Sequence, residues 1–188
     1  MRRQALLKAF RPDLVPSPIR GNIPTRIEKA SRGECDSIII SRAGLSRLGL
    51  DVKPLVAFDL NPCVWVVAPG QGVIAVEARE GDAEVEDRLA GLDDQSTREC
   101  VQAERSLLVT YGGGCHAPFG SFAQLEGSAF QLFVAAPGAD GAFGIKKFGS
   151  ANLEDARTAA DEWIRSGCPD GSVGLSGEWL CRPARPWC

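Results

Sequence analysis

The sequence lacks several features that would place the protein in a special class. No stretch approaches the ~20 consecutive apolar residues that a membrane-spanning helix needs. The start of the chain leads into a mixed segment without the apolar centre of a secretory signal, and no internal repeat or low-complexity tract is present. Hydrophobic residues make up 44% and charged residues 24% of the 188 positions, close to the average for folded domains. We therefore expect a soluble globular protein of one or two domains.

Histidine and paired cysteines are also scarce. The chain has one histidine and seven cysteines, an odd number at irregular spacings with no C-x-x-C pair. This pattern argues against a disulfide framework and against a zinc site, so we predict no bound metal. Free thiols are typical of a reducing compartment. We expect the cytoplasm, or the plastid stroma if the protein comes from an alga or a plant.

Acidic residues are few in the front segment, residues 1–53. It contains eleven lysines and arginines against five aspartates and glutamates, whereas residues 54–110 contain four against eleven. Most of the front cations are arginines, whose planar guanidinium can give a carboxylate or phosphate two hydrogen bonds. The front segment is therefore predicted to bind a small anion. Nucleic acid is a weaker hypothesis, because the pI is 5.3 rather than above ~9.

Helix signals recur along the front segment. Helices are predicted over residues 4–10, 22–30 and 43–48. Asn22 is a typical N-cap for the second helix, and a short β-branched strand is predicted at 36–40, before the third. A strand followed by a helix indicates an α/β unit.

The middle of the chain is predicted to change direction and then become solvated. Two apolar runs, at 62–67 and 73–78, are separated by Ala68–Gly72, a loop that contains both proline and glycine. We name Ala68–Gly72 the edge loop. The acidic stretch 80–95 is predicted to be a solvated helix or a linker.

The second half predicts a small sheet covered by helices, an α+β unit. A helix over 96–110 is predicted to begin with the capping box Ser96-Thr97-Arg98-Glu99. Three apolar runs divided by glycine-containing turns predict an antiparallel meander of strands at 119–125, 129–135 and 142–148. Asn152 is the predicted cap of a last helix, whose buried face would consist of Ala156, Ala159, Ala160, Trp163 and Ile164.

Cys115 is the candidate for covalent chemistry. Three glycines precede it and Pro118 follows, which predicts an exposed loop with little bulk around an attached group. The alternative is a turn with an incidental free thiol. A nucleophilic pair with His116 is disfavoured, because neighbouring side chains of extended backbone point to opposite faces. Gly112–Gly114 lacks the Lys-Ser/Thr ending of a phosphate loop, and no carboxylate pair stands out as a general acid and base.

Six stretches of the sequence, in order over roughly residues 1–165, resemble the porphobilinogen deaminase (hydroxymethylbilane synthase) family. They are Arg2-Arg3-Gln4, the run from Arg20 to Arg26, Asp36-Ser37-Ile38-Ile39, the run from Ala43 to Gly49, Pro69-Gly70-Gln71-Gly72 with Glu77, and Glu104-Arg105 leading to the run from Gly113 to Gly120. Each match is modest alone, but six in register are a specific signal.

The resemblance implies a transferase of tetrapyrrole and haem biosynthesis. Such an enzyme joins four porphobilinogen molecules into hydroxymethylbilane and releases ammonia. By similarity, Cys115 would carry a covalent dipyrromethane cofactor. The family's arginines that hold the carboxylates of the cofactor and the growing chain fall on Arg2, Arg3, Arg20, Arg26 and Arg47. The resemblance implies porphobilinogen as the small-molecule partner. It also implies a monomer that binds neither nucleic acid nor a membrane.

The chain also departs from the family pattern. By the resemblance, the chain would start within the family's second domain. Almost all of the family's first domain, including the aspartate that assists catalysis, would then have no counterpart in the sequence, so we assign no catalytic residue. We expect part of an α/β domain like that of periplasmic binding proteins over residues 1–95, with a return strand and a connecting segment. The third, α+β domain with the cofactor cysteine would span 96–188. Ser46 stands where the family usually has lysine, and His116 where it usually has glutamine.

These departures lead to two hypotheses about activity. The first is that the chain is a portion of the enzyme and is inactive alone. The second is a binding module that holds a small polycarboxylate without turning it over.

Overall fold

The computed structural model describes residues 1–139, 141–168 and 180–183. The side chains of Cys115 and of 180–183 lie outside that description. The helices are α1 Arg2–Phe10, α2 Ile23–Ser31, α3 Arg42–Leu48, α4 Ala83–Ala90, α5 Gln95–Tyr111 and α6 Leu153–Arg165, with a short 3-10 helix at Gly114–His116. The strands are β1 Phe58–Leu60, β2 Gly120–Glu126, β3 Ala129–Pro137, β4 Phe143–Ser150 and β5 Leu180–Pro183. The chain is thus a mixed α and β structure.

The predicted helices are confirmed, with one corrected start. Asn22 caps α2 as predicted, since its side-chain oxygen accepts the Thr25 N–H at 3.0 Å. The predicted start of α5 at Ser96 is wrong, because Asp94 is the N-cap and accepts the Thr97 N–H at 2.7 Å. α4 buries no residue, as expected for a solvated helix.

The predicted three-stranded meander is also confirmed. The strand order is β2-β3-β4, and both pairs are antiparallel. The register places Phe122 opposite Phe133 and Val134 opposite Lys146. Only two residues, Gly127 and Ser128, connect β2 to β3, and Gly127 has a φ of 64°, which glycine adopts without steric cost.

One face of this sheet is covered by α5 and α6. Leu132, Val134 and Ala136 of β3 pack with Leu107 of α5 and with residues of α6. The predicted face of α6 is buried at Ala156, Ala160, Trp163 and Ile164. The prediction was wrong for Ala159, which is exposed, since it lies at the rim of the apolar stripe.

The other face of the sheet is covered by α1 and the segment before the edge loop. Phe133 and Ala135 of β3 lie in one cluster with residues from much earlier in the chain, namely Leu6, Phe10, Trp65 and Val66. The rings of Phe10 and Trp65 stack at 6.1 Å. β3 is therefore buried on both faces, a feature that its local sequence pattern did not indicate.

The strand predicted at residues 36–40 was wrong, because that run forms no strand. The apolar run 62–67 forms no strand either, and the apolar run 73–78 is exposed without regular structure. The short strand in this half is β1, which pairs antiparallel with β5. A β-branched run forms a ladder only where another strand can pair with it, and residues 36–40 have no such partner in the part of the chain that the structure describes. No described helix is long and apolar enough to cross a bilayer.

Candidate functional site

The backbone around Cys115 depends on three successive glycines. Gly112 ends α5 with a φ of 81°, and Gly114 has a φ of 57°, both in the left-handed region. A Cβ on Gly113 would lie 2.3 Å from Cβ of Ala117, so only glycine fits there without a shift. The segment Gly112–Phe119, which we name the cysteine segment, therefore takes a course that larger residues would block.

The cysteine segment is anchored at its far end. Ala117 and Phe119 are buried, and the ring of Phe119 stacks on Tyr111 at 5.0 Å. His116 and the three glycines are exposed. The backbone of Cys115 thus lies in an exposed turn attached to the core, whereas the direction and accessibility of its thiol stay predictions.

Arg2 connects α1 to the cysteine segment. The Nε of Arg2 donates to the carbonyl of Phe119, a residue 117 positions later in the chain. Leu6 and Phe10 hold α1 in place, because both are almost fully buried. The structure therefore brings the first of the predicted arginines to the segment that carries Cys115.

The other predicted arginines lie elsewhere on the front segment. Arg3 donates to the Ile39 carbonyl at 2.9 Å, and the Nε of Arg26 donates to the Gly21 carbonyl at 2.7 Å. Arg20 and Arg47 are exposed. Among the residues that the structure describes, no hydrogen bond or ion pair joins Arg20, Arg26 or Arg47 to the cysteine segment.

The arginines of the front segment differ in whether a carboxylate neutralises them. Arg11 pairs with Asp13, Arg32 with Glu28 and Arg42 with Asp59. The hydrogen bond from Arg11 lowers the pKa of Asp13. The predicted anion-binding residues Arg3, Arg20, Arg26 and Arg47 form no ion pair with an acidic side chain within residues 1–139, 141–168 and 180–183. A donor set of guanidiniums that no carboxylate neutralises within the described residues fits the acidic side arms of a small molecule.

Glu104 is a buried acid whose place in the sequence did not predict a role for it. It is 5% exposed, and its two carboxylate oxygens accept the backbone N–H groups of Gly70 and Ala123. Burial raises the pKa of Glu104, and these two hydrogen bonds oppose the rise. Its position on the buried face of α5, with Cys100, Ala103 and Leu107, could have revealed it.

Within the part of the chain that the structure describes, no group of three or more histidine, cysteine, aspartate or glutamate side chains is placed to hold a metal ion. Cys35 and Cys63 are half-buried, and Cys100 and Cys168 are buried. Burial raises the pKa of the Cys100 and Cys168 thiols, which makes both poor nucleophiles. Cys181 and Cys188 lie outside the described side chains.

Two family models match the chain, one after the other. "Porphobilinogen deaminase, dipyromethane cofactor binding domain" matches residues 1–87, and "Porphobilinogen deaminase, C-terminal domain" matches residues 98–158. The chain belongs to the porphobilinogen deaminase family. The first model covers the arginines of the front segment and the second covers Cys115, so the resemblance seen in the sequence is confirmed.

Curated porphobilinogen deaminases align with most of the chain. A relative from Roseiflexus castenholzii is 45% identical over 141 residues, which are 75% of this chain and 46% of the relative. One from Xylella fastidiosa is 46% identical over 132 residues, 70% of this chain and 43% of the relative. One from Xanthomonas axonopodis pv. citri is 41% identical over 162 residues, 86% of this chain and 50% of the relative. The chain thus spans about half the length of the curated relatives it matches.

Proposed function

We propose that this chain is the cofactor-bearing portion of a porphobilinogen deaminase, a transferase of tetrapyrrole and haem biosynthesis. The reaction condenses four porphobilinogen molecules into hydroxymethylbilane and releases ammonia. The observation that carries the proposal is the hydrogen bond from Arg2 to the Phe119 carbonyl, which puts the arginine-bearing helix beside the cysteine segment. The name of the family model that matches residues 1–87 supports the cofactor.

The residues of the chain would divide the work of holding the cofactor. Cys115 would anchor the dipyrromethane through a thioether bond at its Sγ. Charge-assisted hydrogen bonds would hold the acidic side arms, supplied by Arg2, Arg3, Arg20, Arg26 and Arg47. When bound, the cofactor supplies the pyrrole end to which new units are added. The absence of competing ion pairs at Arg3, Arg20, Arg26 and Arg47 within the described residues supports this assignment.

The proposal includes the domain organisation and the setting. Residues 1–95 would be part of an α/β domain like that of periplasmic binding proteins, and 96–188 a third domain. We further propose a cytoplasmic monomer that takes porphobilinogen as its small-molecule substrate. The prediction that the chain does not turn over porphobilinogen alone rests on the resemblance. A steady release of hydroxymethylbilane by the purified chain would contradict it.

The alternative function is a module that binds a small polycarboxylate without catalysis. One observation favours it. Among the described residues, no hydrogen bond or ion pair joins Arg20, Arg26 or Arg47 to the cysteine segment, so they could bind an acid without any help from Cys115.

Intact mass separates the two functions. The chain is incubated with porphobilinogen. The thiol displaces ammonia from one porphobilinogen and the attached pyrrole displaces ammonia from a second, so the mass should rise once by one dipyrromethane unit, with no steady turnover afterwards. The Cys115→Ser chain should stay unmodified, whereas Cys35→Ser, which removes a half-buried free thiol elsewhere, should still gain the mass. An unmodified wild-type thiol would overturn the enzyme proposal and leave the binding module.

A second measurement tests the arginines. Arg26→Gln should weaken retention of a tricarboxylate on the chain, because it removes a guanidinium that no carboxylate neutralises within the described residues. Arg32→Gln is the matched control on the same stretch of chain, since Arg32 already pairs with Glu28. Equal retention by both variants would contradict the assigned role of Arg26.

A further inference from the structure

The outer edge of β2 is closed by a part of the chain that precedes it by about fifty residues. The Ser121 N–H donates to the Val67 carbonyl at 3.0 Å. A Cβ on Gly120 would lie 2.7 Å from the Val66 carbonyl oxygen, so the absence of a side chain there permits the contact. The stretch before the edge loop therefore runs directly against β2.

Beyond Val67, the Glu104 carboxylate connects the edge loop to β2. One carboxylate oxygen accepts the Gly70 N–H of the edge loop at 2.6 Å, and the other accepts the Ala123 N–H of β2 at 2.7 Å. The hydroxyl of Ser121 also donates to the Glu104 backbone carbonyl at 3.1 Å. Two backbone donors that are 53 positions apart in the chain thus share one side chain.

A carboxylate suits this position because both partners are donors. Buried N–H groups need an acceptor, and an ionised carboxylate supplies two oxygens that accept without offering a proton. A glutamine at the same place would supply one oxygen and an NH2 group. Its NH2 would face a second N–H, and one of the two amides would lose its partner.

The contacts of Glu104 belong to a continuous set of contacts that connects the edge loop, the arginine-bearing helix α1 and the cysteine segment. Gly70 follows Trp65 and Val66, which pack with Phe10 of α1. The same helix begins at Arg2, which reaches Phe119, one residue before β2. A shift of the edge loop along β2 would therefore move α1 relative to Cys115.

We propose that Glu104 is a positioning residue: its carboxylate fastens the edge loop to β2 and so sets the arginine-bearing helix α1 against the cysteine segment. The importance of the position of α1 for cofactor attachment rests on the function proposed above. The attachment of the edge loop to β2 by Glu104 does not depend on that function.

Amide hydrogen exchange in the full 188-residue chain tests the fastening. In Glu104→Gln, the amide of Gly70 or of Ala123 should exchange about tenfold faster or more, because one of them loses a hydrogen bond to a charged acceptor. The control is Glu162→Gln on the exposed side of α6, which should leave both rates unchanged. A folded Glu104→Gln chain with wild-type exchange at both amides would overturn the proposal.

A titration of the wild-type chain tests the same point without a variant. The amide proton shifts of Gly70 and Ala123 should follow one shared midpoint, above the ordinary glutamate value of about 4.3, because one carboxyl group binds both. The edge loop and residues 120–124 of β2 carry no ionisable side chain. On α5, the Cys100 thiol interacts electrostatically with Glu104, and burial raises the pKa of that thiol further above the carboxylate range. Separate midpoints, or shifts that do not titrate, would overturn the proposal.

Cofactor attachment separates this inference from the proposed function. Glu104→Gln should gain the dipyrromethane mass on Cys115 more slowly than wild type and Glu162→Gln. If wild type gains no mass, the proposed function fails, while the two amide measurements still decide the fastening. If Glu104→Gln gains mass at the wild-type rate, the positioning role is overturned.

Discussion

The sheet unit, which consists of β2, β3 and β4 with the helices α5 and α6, differs from the front segment in where its backbone groups find hydrogen-bond partners. β2, β3 and β4 pair with one another within about thirty residues of chain, and α5 and α6, which flank them in sequence, cover one face. The front segment has three short helices and no ladder of its own, and the stretch after the edge loop leaves Val73, Ile74 and Val76 exposed. A unit with local partners completes its own core, whereas the front segment depends on the face of β3 that it covers.

The largest effect is expected where the two regions meet. Phe10→Ala should lower the free energy of unfolding by about 4 kcal/mol, because it removes a buried ring and leaves a cavity in the cluster shared by α1 and β3. Val15→Ala is the control, since Val15 is 91% exposed. Urea unfolding measures both. If Phe10→Ala unfolds with the stability of wild type, the shared core does not hold the regions together.

A slightly smaller loss is expected inside the sheet unit. Leu132→Ala on β3 should cost about 3 kcal/mol, because its side chain is fully buried against α5 and α6. Leu125→Ala on the neighbouring strand removes the same atoms from a side chain that is 49% exposed, and should cost far less. Equal midpoints of urea unfolding for the two variants would contradict the burial of this face.

Loss of a helix cap in the front segment should have a smaller effect. Asn22→Ala should cost about 1 kcal/mol, since the Thr25 N–H loses its acceptor at the start of α2. Asn22→Asp retains an acceptor oxygen and should restore most of the stability. Thermal unfolding followed by circular dichroism compares the three chains, and a loss in Asn22→Asp as large as in Asn22→Ala would rule out the cap as its cause.

The smallest predicted effect is a dependence of stability on pH at the junction of the two regions. Burial raises the pKa of Glu104, so the folded chain keeps this proton to a higher pH than the unfolded chain. The resulting stabilisation is fully present below about pH 4.3, the ordinary pKa of glutamate, and is lost as the pH rises through the raised pKa. The unfolding free energy of wild type minus that of Glu104→Gln should therefore become smaller as the pH rises. A constant difference would contradict the raised pKa.

Local patterns predicted the sheet unit well, because its signals and its partners lie close together in the chain. The glycine turn at Gly127 and the Asn152 cap each act within a few residues. The strand at 36–40 was predicted from β-branched residues alone, and a ladder needs a second strand that sequence patterns do not supply. Arg2 was identified by resemblance, and Cys115 was identified by its glycine-rich surroundings as well as by resemblance. The contact between Arg2 and Phe119 of the cysteine segment, however, spans 117 positions. No local pattern reports a contact of that kind, and the same holds for the bridge that Glu104 makes to Gly70.

The double burial of β3 has a consequence for a nicked chain. Residues 71–81 are exposed throughout and include Arg79, where a protease such as trypsin could cut. The piece that carries α1 would still grip the piece that carries the sheet, since Leu6, Phe10, Trp65 and Val66 precede the cut and Phe133 and Ala135 follow it. Cleavage would therefore turn one polypeptide into a complex of two fragments that co-elute on gel filtration. The fold would remain although the backbone is cut.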